Sequence, residues 1–193
     1  EELPYELVRQ KLHVAAATMQ ALERQGYLRI ESKAFYRNPV RMTDRGEKRP
    51  TLNPAQQRVI DGVMGAYRSG SPGVHLVHGV TGSGKTEVYL GIIEQMIAMG
   101  KQAIMLIPEI ALTYQTLLRF YKRFGDRVSV MNSTLSAGEK YDQIERAKAG
   151  EIDVIIGPRS ALFTPFPNLG VIVMDEEHEN SYKSETSPRY HAR

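Results

Sequence analysis

The sequence predicts an α/β fold, a parallel sheet with helices on both faces, preceded by a small winged-helix domain. Three observations carry that expectation. Strand and helix signals alternate from residue 51 onward, the pattern that builds parallel sheets through helical crossovers. A glycine-rich turn, Gly79-Val80-Thr81-Gly82-Ser83-Gly84-Lys85-Thr86, lies between a strand signal and a helix signal. Residues 1–40 read in the order helix, glycine, short strand, basic hairpin. The 193 residues therefore divide into a winged-helix domain at 1–40, a linker at 41–50 and an α/β domain at 51–193.

Residues 5–25 are helix-compatible throughout, with Leu12, Ala15, Ala16, Met19 and Leu22 at three- and four-residue spacings. Gly26 is placed to end that helix in a left-handed conformation. Residues 27–30 read as a short strand and residues 34–36 as its hairpin partner. Residues 1–50 carry ten Lys and Arg against seven Asp and Glu, while residues 51–193 carry fifteen of each. The whole net charge of +3 thus lies in the first quarter of the chain. Arg29, Lys33, Arg37, Arg41, Arg45 and Arg49 recur every fourth residue, but Pro39, Gly46 and Pro50 argue against one long helix carrying them. Two readings stand for this region: a solvated basic surface and linker, or a polyanion contact. A winged helix likewise serves either to contact DNA or to dock a protein.

In the second domain, Asn53 followed by Pro54 forms an N-cap and first-turn pair for a helix to about Tyr67. Residues 74–78 read as a strand entering the glycine turn. The helix after the turn puts Tyr89, Ile92, Ile93 and Met96 on one face and stops at Gly100. Residues 103–107 are an uninterrupted apolar strand, as a sheet buried on both faces requires. A helix over 112–124 ends at Gly125, and a strand follows at 128–131. Ser136 and Glu139 form a capping box for a helix ending near Gly150. Strands at 153–156 and 171–174 bring the strand signals to five.

Composition narrows the class. With 41% hydrophobic and 24% charged residues the chain is typical of a folded domain, not a disordered one. Its longest apolar run, residues 103–107, is far short of a membrane span, and the N-terminus lacks the pattern of a signal peptide. The absence of cysteine excludes disulfides and thiolate metal sites within these residues and fits a cytoplasmic address.

The glycine turn has the chemistry of a phosphate cradle. Glycines at 79, 82 and 84 let successive backbone N–H groups approach a phosphate, and the following helix adds the positive end of its dipole. Lys85 has the reach for β- and γ-phosphates, and the Thr86 hydroxyl is a ligand for Mg²⁺. Asp175 follows four apolar residues and so falls at the carboxyl end of a buried strand, the edge where α/β sheets bind ligands. An aspartate there holds a metal, and Glu176 is placed to orient or deprotonate an attacking water. Nucleoside triphosphate hydrolysis follows from the pair of motifs. A non-catalytic DNA-binding module and a small-molecule kinase are the rivals. The complete acidic motif argues against the first, and nothing in the sequence suggests an acceptor pocket for the second.

The run Asp175-Glu176-Glu177-His178 resembles the DExH-type second motif of superfamily-two helicases. Leu52-Asn53-Pro54-Ala55-Gln56 resembles the glutamine motif that reads adenine. GVTGSGKTEVY at 79–89, Pro108-Glu109-Ile110-Ala111-Leu112-Thr113 and Arg159-Ser160-Ala161-Leu162-Phe163 resemble the bacterial primosomal replication-restart helicases, a match over essentially all of 50–193. The winged helix is similar to the one that family carries before its first helicase lobe. The resemblance implies a RecA-like first lobe of an ATP-driven 3′-to-5′ DNA helicase that recognises stalled or abandoned replication forks and initiates primosome assembly.

Residue by residue, the same resemblance implies Gln56 at adenine, Lys85 at the phosphates, Thr86 and Asp175 at magnesium, and Glu176 at the catalytic water. His178 would link the nucleotide site to DNA. Arg159 and the aromatic-rich loop, with Tyr182, Lys183, Arg189, Tyr190 and Arg193, would contact or sense single strands. Implied partners are forked and single-stranded DNA, primosome proteins and single-strand-binding protein, with no membrane. Pro158 stands where the family usually has threonine and removes an N–H donor beside the DNA backbone. Zinc is implied for the full-length protein, with no ligands in this chain. The second helicase lobe is also missing, so a fragment of this extent is expected to bind nucleotide weakly and hydrolyse it poorly. The arginine that lobe supplies is worth roughly 10³–10⁵ in rate in related hydrolases.

Overall fold

Local side-chain chemistry sets the helix ends in the computed structural model, which describes residue 8 and residues 13–30, 50–185, 187 and 189–193. The chain forms two units, Glu1–Phe35 and Tyr36–Arg193. In the first, helix α1 spans Ala16–Arg24 and buries Met19. Gly26 follows it at φ 79°, the left-handed stop expected there. The helix does not run unbroken from residue 5: His13 is left-handed at φ 51° and Ala15 is extended, so the final helix begins at Ala16. Residues 28–30 form no strand. Instead the Ile30 N–H donates to the Glu23 carboxylate at 2.8 Å, folding the segment back on the helix end. The hairpin partner at 34–36, the linker at 41–49 and most of the basic series lie outside the described residues.

In the second unit, α2 spans Pro54–Arg68, α3 Lys85–Ala98, α4 Tyr114–Phe124 and α5 Ala137–Lys148. Asn53 caps α2 as its sequence signature requires: its Oδ1 accepts from the Ala55 and Gln56 N–H groups, and Gln56 Oε1 accepts from the Asn53 N–H, each at 2.9 Å. Ser136 and Glu139 form the matching box on α5. Thr113 caps α4, and Gly125 ends it at φ 65°.

Strands β1 (Gln102–Leu106), β2 (Val128–Val130), β3 (Val154–Gly157) and β4 (Leu169–Met174) make a four-stranded parallel sheet in the order β2-β3-β1-β4. The alternation of side chains along β1 defines two cores. Ala103 and Met105 pack with Tyr89, Leu90 and Ile93 of α3 and with Phe120 and Tyr121 of α4. Ile104 and Leu106 face the other way, toward Ala147 of α5, Ala161 and Tyr182. Outside α3, Ile60 and Met64 of α2 close on Val88, Ile92 and Met96. The chain therefore has the expected parallel sheet with helices on both faces. Among the described residues no helix is long and apolar enough to cross a membrane.

Two strand expectations need correction. Residues 74–78 do not join the described sheet, even at the open side of β4, and Val74 and Leu76 project into solvent at 104% and 77% exposure. Only Val77 packs against the core. Its alternation of apolar residues with His75 and His78 allows an extended segment, but strand pairing is a tertiary outcome that a short apolar run does not settle. Second, β4 is half-buried, not fully buried, with Leu169 and Ile172 exposed. Its register with β1 is irregular between Gln102 and Ala103, and it forms an edge of the described sheet.

Candidate nucleotide site

The end of β4 and the start of α3 meet at one cavity of about 640 Å³, within the ordinary size range for small-molecule sites. Thr81, Gly82, Gly84, Lys85 and Thr86 line it from the glycine turn, and Asp175 and Glu176 from the acidic tetrad. The two motifs, some ninety residues apart in sequence, therefore converge. A sheet strand ends and a helix begins on the same edge, which is why parallel α/β folds gather such groups there.

Gly84 supplies the N-cap of α3 at φ 82°, where a side chain would be strained and its Cβ would collide with the Gln56 amide. Lys85 folds over its own loop, its Nζ donating to the Gly79 carbonyl at 2.8 Å and the Val80 carbonyl at 3.3 Å. Gln56 Nε2 donates to the carbonyl oxygens of Ser83 at 3.3 Å and Gly84 at 3.4 Å. Its amide is thus engaged with the loop on one side and the helix cap on the other.

Burial raises the Asp175 carboxyl above the usual carboxylate range, and the Glu176 charge adds to that shift. The Glu176 N–H, the Lys85 charge and the Tyr89 hydroxyl oppose it. Tyr89 donates its side-chain hydrogen bond to Asp175, and its phenol is pushed up to about 12 by burial and then by the two carboxylates. Glu176 adopts the left-handed region at φ 47°, a conformation that costs a non-glycine residue about 1 kcal/mol. Its N–H donates to Asp175 Oδ1 at 3.1 Å. A partly desolvated carboxylate, a second carboxylate and a threonine hydroxyl line the same cavity, a donor set that suits Mg²⁺. One or two carboxylates plus substrate oxygens and water is what Mg²⁺ takes. Among the described residues no group of three or more His, Asp or Glu forms a metal cage.

The residues assigned to DNA or coupling fall into three arrangements. His178 is exposed, with Nδ1 3.8 Å from Glu176 Oε2. Lys183, Arg189 and Arg193 are also exposed, Arg193 in an ion pair with Glu177. Tyr190 is half-buried, its ring 5.0 Å from that of Phe163 in an edge contact. Tyr182 differs: it is fully buried and its hydroxyl is spent on main-chain carbonyls, so its ring faces are closed to a base. The apolar floor beneath the sheet edge captured it, a distinction no composition signal carries. Arg159 also turns inward, donating to the carbonyls of Ser181, at 3.2 Å, and of Lys183. It ties the 159–163 turn to the aromatic-rich loop.

Sequence reasoning missed Tyr89 as a partner of Asp175, placing it only on an apolar face. It also missed Arg123 on α4, whose guanidinium bridges Glu87 at 3.3 Å and Glu94 at 2.9 Å on α3. Arg119, Lys122 and Arg123 all line the cavity. Their spacing on one helix face was the available signal.

Sheet order, helical layers and the shared cavity together define a RecA-like lobe. Over residues 53–192 the chain matches the DEAD/DEAH box helicase family, and it belongs to that family. It is 46% identical over 185 residues to the replication restart protein PriA of Bacillus subtilis, covering 95% of this chain and 23% of that protein. The PriA proteins of Synechocystis, at 43% over 182 residues, and Haemophilus influenzae, at 42% over 187, are similar, each over 93% of this chain. The chain spans 21% to 25% of the length of these relatives.

Proposed function

We propose that the chain is the ATP-binding lobe of a DNA helicase that moves 3′ to 5′, recognises stalled or abandoned forks and initiates primosome assembly in the bacterial cytoplasm. The observation that carries this is the single cavity lined by Lys85 and Thr86 from one motif and by Asp175 and Glu176 from the other. The name shared by its relatives supports the replication-restart part. In this reading the loop N–H groups and Lys85 bind the phosphates, Gln56 meets adenine, and Thr86 and Asp175 hold Mg²⁺. The metal, when bound, neutralises phosphate charge. Glu176 orients and deprotonates water for attack on the γ-phosphate. Forked and single-stranded DNA, primosome proteins and single-strand-binding protein are the partners, with His178 and the loop to Arg193 relaying DNA contact. Zinc belongs to regions beyond these residues.

ATP turnover by the complete gene product, with and without forked DNA, tests the proposal. DNA should stimulate hydrolysis, and Lys85→Ala should abolish both hydrolysis and unwinding while leaving static DNA binding. Unimpaired unwinding by Lys85→Ala would reject it.

A further inference from the structure

The cavity has a wall that neither motif supplies, and it is cationic. Arg119 and Arg123 stand one turn apart on α4, so they share a helix face, and both reach the cavity. Their circumstances differ. Arg123 is nearly buried, and Glu87 and Glu94 hold its guanidinium, which clamps α4 against α3 immediately beyond Thr86. Arg119 is exposed and makes no hydrogen bond or ion pair among the described residues. The Lys85 ammonium, for its part, is folded onto the carbonyls of its own loop. Arg119 is therefore a guanidinium aimed at the cavity with its donors uncommitted, on a helix whose position the Arg123 clamp fixes.

The geometry points to Arg119 as a further nucleotide-binding residue, a cation supplied by this same lobe that grips the outer phosphates of the bound triphosphate. A planar guanidinium fork matches phosphate oxygens two at a time, and a preformed scaffold keeps the ordering cost small. This inference rests on the nucleotide reading of the cavity. It adds that the phosphate chain is held from α4 as well as from the loop.

The test is equilibrium binding of MgATP, MgADP and AMP to the complete gene product, by displacement of a fluorescent nucleotide, for wild type, Lys85→Ala, Arg119→Ala and Arg119→Lys. Arg119→Ala should weaken MgATP roughly tenfold or more, MgADP less, and AMP hardly at all. Arg119→Lys should recover only part of the loss, because it keeps the charge without the fork. A thermal melt shared with wild type is expected, since Arg119 is on the surface. If Lys85→Ala weakens MgATP while Arg119→Ala binds it as wild type does, the inference fails and the nucleotide reading stands. An equal loss for AMP also overturns it, since the contact would not then be to the outer phosphates. If wild type does not bind MgATP, both fall together.

Discussion

The Tyr182 hydroxyl donates to the main-chain carbonyl of Asp175 at 2.6 Å and shares the same proton with the carbonyl of Leu106 at 3.1 Å. Leu106 ends β1, and Asp175 is the first residue after β4. One phenol thus staples two neighbouring strands where they open onto the cavity. The ring has no solvent exposure, and burial, with the charges of Asp175 and Glu176 behind it, holds the phenol proton well above its ordinary value. The loop after the acidic tetrad is therefore attached to the strand ends that carry the tetrad.

Tyr182→Phe should keep the packing and lose the staple. The Asp175 carbonyl would lose this donor, a loss of about 1–3 kcal/mol, while the Leu106 carbonyl keeps the Asp175 N–H at 2.9 Å. Denaturant midpoints at unchanged slope measure it. An unchanged midpoint would mean that the Asp175 carbonyl finds another partner.

Asp175 makes the nucleotide-free chain sensitive to pH in a defined direction. Its folded-state carboxyl is raised, by burial first and by Glu176 next, so between the ordinary carboxylate range and that raised value the folded chain binds more protons than the unfolded one. Its contribution to stability consequently increases as pH falls through that window. Above the window the charged form is a penalty. Asp175→Asn removes the charge while retaining an acceptor for Tyr89. It should melt higher than wild type at neutral pH without nucleotide, and the gap should close toward acid. A gap that widens on acidification would contradict this.

The cavity edge was legible because its signals are local. Asn53 with Gln56, Ser136 with Glu139, and the glycines at 26, 84 and 125 each act through backbone groups within a few residues, and each appears where its chemistry requires. Convergence of the two motifs followed from strand ends and helix starts sharing one edge. Long-range outcomes were not legible. Whether residues 74–78 pair in the sheet depends on partners distant in sequence, and β4 is half-open for the same reason. Tyr182 and Arg159 carried an expectation of DNA contact and Arg123 none, yet each bonds a group far along the chain, at separations of 76, 24 and 36 residues. Such pairings leave no periodic trace.

Arg123 offers a stability test of one such pairing. Both of its carboxylate partners are on α3, and its side chain is only 11% exposed. Arg123→Ala would remove the guanidinium that Glu87 and Glu94 share and would open a void beside the α3–α4 contact. Breaking a fully buried pair costs about 3–5 kcal/mol, and the 20% and 33% exposure of the glutamates brings the expected loss to about 2 kcal/mol. Chemical denaturation reads it directly. Arg123→Met should recover part of the packing without the charge, so similar midpoints for Ala and Met would assign the loss to electrostatics.

In the proposed function, Glu176 is the residue that should separate binding from turnover. It lines the cavity next to Asp175, its N–H bonds the Asp175 carboxylate, and its backbone is held in the left-handed region without the glycine that such a turn favours. A strained non-glycine residue persists where its side chain is needed. Glu176→Gln keeps the size and the backbone N–H but removes the base. MgATP affinity should stay within a few-fold of wild type. Steady-state hydrolysis by the complete gene product on forked DNA should drop by about 10²–10⁴, the range for loss of a general base. Single-turnover mixing places the defect, since the variant should bind nucleotide and stop before phosphate release. Normal hydrolysis by Glu176→Gln would take the base away from this residue, and weakened binding with normal turnover would make it a nucleotide ligand instead.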